Sequence, residues 1–121
     1  MNVQDETVAA EWVNLKYGEN TLSKPLERET LARIAPKLAE LSQELLFNDI
    51  WQREGLSSRE RSLITLAALT ALGRVQQIPW HIHFAQQNGL TKAEIVEAFT
   101  HLAFYAGWPA AVSALECLDE E

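Results

Sequence analysis

The chain has 121 residues, 47% of them hydrophobic, with seventeen acidic against ten basic side chains and a net charge of −7. That length holds one domain rather than two, and that hydrophobic content excludes wholesale disorder. The acidic balance excludes a general affinity for nucleic acid phosphates, and no run of Lys or Arg marks a membrane patch.

The first 35 residues read as an N-terminal extension, a candidate to pack on a neighbouring subunit. Val8, Trp12 and Leu15 fall on one side of a short helix over residues 6–16. Gly18, Asn20, Ser23 and Pro25 make a loop, and Leu26 to Ile34 reads as another short helix. The start lacks the basic and apolar segments of a signal peptide, so a cytoplasmic protein is expected.

From Pro36 to Leu118 the punctuation is that of a helical domain. Pro36 suits a first helical turn, where its missing N–H has no partner to lose. Leu38, Leu41, Leu45, Leu46 and Ile50 follow near helical spacing, and Gly55 ends that stretch. Ser57 and Glu60 form a capping-box pattern ahead of a helix ending at Gly73. That helix is apolar almost all round from Leu63 to Leu72, which predicts burial on most sides. It is too short to span a bilayer.

Pro79 starts the next helix and Gly89 stops it. Thr91 and Glu94 form a second capping box, followed by a stripe of Ile95, Val96, Phe99, Leu102 and Ala103. Gly107 ends that helix and Pro109 opens the last. The result is an all-α bundle of about six helices, with hairpins near Gly89 and Gly107.

Three histidines draw notice. His81 has an ordinary pKa near neutrality and can move a proton at working pH; the alternative is a packed histidine with a satisfied hydrogen bond. His83 points about 200° away from His81 on a helix, so the two do not share a metal ion. Glu97, His101 and Tyr105 form a polar stripe that either edges a cavity or faces solvent. Arg61 is a candidate anion-binding cation or one half of a structural ion pair. Trp80 stands beside His81. No metal-binding spacing is present, and Cys117 is the only cysteine.

Four segments carry a family resemblance. They are Phe47-Asn48-Asp49-Ile50-Trp51, Arg59 to Leu69, His81-x-x-x-Ala85-x-x-x-Gly89 with Leu90-Thr91, and His101 to Ala111. In this order the stretch from Pro36 to Leu118 resembles the carboxymuconolactone decarboxylase family, related to alkyl hydroperoxidase D. The hydroperoxidase branch has Cys-x-x-Cys ahead of its histidine, and Arg74 and Gln77 stand at those positions here. A redox dithiol needs two sulfurs, so thiol peroxidase chemistry is not expected. The decarboxylase branch pairs an acid with the histidine, where this chain has Gln77.

The resemblance implies a cofactor-free lyase acting on a small, anionic, unsaturated lactone acid of aromatic catabolism. It implies catalytic roles for His81 and His101, substrate contacts from Arg61, Gln77, Trp80 and Tyr105, and a homo-oligomer, trimer or hexamer. No metal, nucleic acid or membrane is expected. Neutral Gln77 in place of an acid keeps a second reading open: an oligomeric ligand-binding or accessory protein of the same fold.

Overall fold

The computed structural model describes residues 26–118. The helix and loop expected over residues 6–16 and 18–25 lie outside that range. The described residues form six α-helices and no strand, as the all-α reading expected. The chain divides between Ser58 and Arg59 into two compact units.

The first unit holds α1 (Arg28–Ile34) and α2 (Pro36–Leu41). Ala35 separates them at φ −136°, ψ 72°, because the ring of a following proline disfavours helical geometry in the residue before it. After α2 the chain widens into a π-helical turn over Ser42–Phe47, where Asn48 N–H reaches the Gln43 carbonyl at 3.0 Å. The helical run expected over Leu38–Ile50 thus holds only to Phe47, with a wider turn within it; Asn48 and Asp49 form a turn, and Ile50–Gln52 is a separate 3-10 turn. Phe47 and Trp51 are buried with rings 6.3 Å apart, and the Arg28 guanidinium lies 5.4 Å from the Phe47 centroid. Ile34, Leu38, Leu41 and Leu45 remain exposed.

The second unit holds α3 (Ser58–Leu72), α4 (Ile78–Gln87), α5 (Lys92–Leu102) and α6 (Trp108–Leu115). Its core joins Leu66 of α3, Ile78, Ile82 and Ala85 of α4, Ile95 and Phe99 of α5, and Ala114 of α6. The expectation for α3 needs correction. Only Ser62, Leu66 and Thr70 on that helix are buried, while Leu63, Leu72 and Ile64 (56%) are exposed. The other helices of the unit cover one face of α3.

Short-range bonds set the helix ends. Gly73 adopts φ +72°, and Arg74 N–H bonds the Leu69 carbonyl (2.9 Å) while Gly73 N–H bonds that of Thr70 (3.1 Å). Gly89, at φ +105°, repeats the pattern: Leu90 bonds Ala85 (3.0 Å) and Gly89 bonds Gln86 (3.1 Å). Both are Schellman ends, which favour glycine because a side chain strains the left-handed position. Asn88 Nδ2 then donates to Ser62 Oγ at 2.9 Å, satisfying a buried hydroxyl.

The capping box at α5 is complete. Glu94 N–H donates to Thr91 Oγ1 (3.0 Å) and Thr91 N–H to Glu94 Oε1 (2.9 Å). Replacing Thr91 by Ala is expected to cost about 1 kcal/mol, read as a lower urea midpoint. Thr70 behaves in the opposite sense. It is buried, and its Oγ1 has no hydrogen-bond partner among the described residues. Thr70→Val keeps the shape and removes the unmet hydroxyl, so stability is expected to rise by about 1 kcal/mol, read as a higher urea midpoint.

Candidate active site

The turn between α3 and α4 decides the setting of His81. Gly73 ends α3, and Gln77 becomes the N-cap of α4, with Pro79 in the first turn. Gln77 is exposed, and no side-chain hydrogen bond from it caps the helix. Its backbone carbonyl accepts the His81 N–H at 3.3 Å. Gln77 thus meets His81 through the backbone.

His81 sits among aromatic rings. The Trp80 ring meets it edge-on at 4.8 Å and 86°, and Phe84 lies 6.4 Å away at 69°. Trp80 and Phe84 stack on each other at 4.9 Å, so the helix spacing builds one aromatic wall beside the imidazole. His81 Nδ1 is buried and has no hydrogen-bond partner among the described residues. Burial pushes the His81 pKa down from 6.5 to about 4, because a charged ring is poorly solvated there. The imidazole is therefore neutral at pH 7, while part of the residue stays accessible. His83, two residues on, is half-buried with Nε2 3.2 Å from Gln87 Nε2.

His101 lies in a different setting. It is exposed and stacks on Tyr105 at 4.9 Å and 26°. With Glu97 it lines a cleft of about 430 Å³ between α3 and α5. Leu63 and Ala67 of α3, Ala98 and Leu102 of α5, and Leu90 give that cleft an apolar floor. Tyr105, the third member of the polar stripe, is 81% exposed and is not part of the lining. No hydrogen bond or ion pair joins Glu97 to His101.

The cleft lining includes His101 and not His81. Arg61 is half-buried and also outside the lining; its carbonyl accepts a 2.8 Å bond from Thr65 Oγ1. The cation at the cleft is Arg59, which ion-pairs with Glu94. Glu94 has its pKa lowered, first by the Thr91 backbone N–H and further by the Arg59 charge. The sequence reading passed over Arg59. Its signal was spacing: Arg59, Leu63 and Ala67 recur every four residues on one face of α3, apart from the face of Ser62, Leu66 and Thr70.

Cys117 is buried, with Sγ 3.5 Å from the Ser113 carbonyl and 3.7 Å from that of Val75. Among the described residues no helix is long and apolar enough to cross a membrane.

Residues 36–120 match the model of the carboxymuconolactone decarboxylase family. A 4-carboxymuconolactone decarboxylase from Acinetobacter baylyi is 39% identical over 74 residues, 61% of this chain and 55% of the relative. A nitrosuccinic acid decarboxylase from Metarhizium robertsii is 37% identical over 76 residues, 63% of this chain and 53% of the relative. An uncharacterised protein from Paracoccus denitrificans is 28% identical over 99 residues, 80% of this chain and 74% of the relative. The chain thus spans about half the length of the two named decarboxylases.

Proposed function

Because the chain belongs to the carboxymuconolactone decarboxylase family over residues 36–120, we propose that it is a decarboxylase of small carboxylic acids, working as a homo-oligomer with His81 as its proton-transfer group. The observation that carries the reading is the neutral, aromatic-walled imidazole of His81. A histidine held neutral by burial beside an aromatic wall is a candidate proton-transfer group, and this supports the reading.

The chemistry follows from where electrons go when CO₂ leaves. The breaking C–C bond leaves its pair on carbon, and that pair needs an acceptor. In 4-carboxymuconolactone the acceptor is an unsaturated lactone; in nitrosuccinic acid it is a nitro group. Both relatives are named for substrates that supply their own electron sink, so the protein's share is proton transfer and carboxylate binding. A proton added to the electron-rich product of CO₂ loss completes the reaction, and no redox partner enters the balance.

Burial keeps His81 neutral while the site is empty. An anionic carboxylate beside it offsets that penalty and favours the imidazolium. His81 thus takes up a proton as the anion binds and can return it to the carbon chain, the behaviour of a general acid. Trp80 walls one side of the ring. In this proposal Arg61, Gln77 and Tyr105 hold substrate polar groups and His101 is a second proton-transfer group. Carbon dioxide release from 4-carboxymuconolactone and from nitrosuccinic acid, by wild type and His81→Ala, tests the reading. A folded wild type that releases none from either acid sinks it.

Gln77 favours one other reading. Without a carboxylate partner for His81, the protein would bind small anions without turning them over. Heat evolved on mixing with either acid, with no CO₂ formed, would decide for that role.

A further inference from the structure

The turn that joins α3 to α4 carries a cation that the fold does not use. Arg74 is exposed, and among the described residues its guanidinium makes no hydrogen bond or ion pair. Arg59, by contrast, is held by Glu94. The turn is closed by its own backbone. Arg74 N–H donates to the Leu69 carbonyl at 2.9 Å, and the Arg74 carbonyl accepts the Gln77 N–H at 3.1 Å. Such a turn keeps its first and fourth residues within about 7 Å, so Arg74 stands beside Gln77, the N-cap of α4.

That helix end is open to an anion. The Gln77 side chain makes no capping bond, and Pro79 has no N–H. The Ile78 N–H meets no acceptor among the described residues. The aligned peptide dipoles add partial positive charge at the same end. His81 supplies an independent sign of a ligand. It is the fourth residue of α4, and helical side chains lean toward the N-terminus of their helix, which sets the imidazole over this end. Its Nδ1 is buried and has no hydrogen-bond partner among the described residues. Buried polar atoms are normally paired, so an unmet ring nitrogen beside an unpaired cation points to a polar ligand between them.

We propose that Arg74 and the N-terminus of α4 bind the carboxylate that the substrate keeps, so that the site selects short dicarboxylic acids and leaves the departing carboxylate to His81. This rests on the decarboxylase reading above and names its substrate class. The charges decide which carboxylate meets the cation. The departing group loses its charge as CO₂ forms, so a cation bound to it stabilises the ground state more than the transition state and slows the reaction. The other carboxylate keeps its charge throughout, and a guanidinium can grip it in two-pronged fashion without that penalty. One helical turn is about 5.4 Å, a gap that a short carbon chain between two carboxyl groups bridges.

Arg74→Gln is expected to raise KM for nitrosuccinic acid roughly ten- to a hundredfold while kcat stays within a few-fold, and Arg74→Lys to recover part of the loss. The exposure of Arg74 leaves the fold alone, which unchanged circular dichroism checks. Succinate is the binding probe. By calorimetry, wild type is expected to bind it more tightly than monomethyl succinate by a similar factor, and Arg74→Gln to erase the difference. Unchanged KM and succinate affinity in Arg74→Gln overturn the proposal, while CO₂ release by the same protein leaves the decarboxylase reading standing. A fall in kcat at constant KM also overturns it, because the cation would then act on charge that develops in the transition state. A wild type that releases no CO₂ but binds succinate through Arg74 sinks the decarboxylase reading and keeps this site. A wild type that does neither ends both.

Discussion

Replacing His81 by Ala is expected to lower CO₂ release by about 10²–10⁴-fold, the range over which a positioned proton donor contributes. The substitution leaves Trp80 and Phe84 to stack on each other, so the wall beside the reacting group survives. The loss should appear in kcat more than in KM, because the proton moves only as the transition state is reached. His83→Ala is the control. That residue is two positions away on the same helix and lies 3.2 Å from Gln87 by its Nε2, so turnover should stay within a few-fold of wild type. If both variants lose activity equally, or neither does, His81 is not the proton-transfer group.

The same histidine sets an acid limit on stability. Its pKa is lowered from 6.5 to about 4 by burial, so below pH 6.5 the unfolded chain binds a proton that the folded chain does not. By linkage, stability then falls as the pH falls. The contribution is fully present above the unfolded value and is lost on the way down through the folded one. Between pH 7 and pH 5 the loss is about 2 kcal/mol from this one group. Urea midpoints across that interval should drop in wild type and flatten in His81→Gln, which has nothing to titrate. A wild-type slope that persists in the variant would show that the acid sensitivity lies elsewhere. Glu94 acts in the same sense at lower pH. Its carboxyl is held below the usual range by the Thr91 N–H and the Arg59 charge, so its contribution is largely constant across the window used here and is lost only below it.

Most helix ends were legible in the sequence. Pro36 opens α2, Gly73 and Gly89 end α3 and α4, and the Thr91–Glu94 box starts α5. These features are legible because each depends on hydrogen bonds closed within five residues, so the deciding groups are neighbours in the chain. The family motifs add to this, since fixed spacing on helices makes order in sequence into order in space.

What spacing alone does not carry is the sum over neighbours distant in the chain. The apolar girdle of α3 reads as buried on most sides. Only the packed subunit shows that Ser62, Leu66 and Thr70 face the core and Leu63 lines a cleft. Arg59 meets Glu94 across 35 residues, and Arg61, two positions on, lies outside the same cleft. A rotation of about 200° along a helix decides such a case, but which face is turned inward depends on every other helix. His81 and His101 were both visible as candidates. Their difference was not: one is a neutral ring walled by aromatics, the other an exposed ring at a cleft. A pKa answers to the solvent and charge around the group, and those are set by the tertiary structure. The sequence by itself determined where the helices begin and end and which family they build. The packing determined which face each helix hides, and with it the chemistry of its histidines.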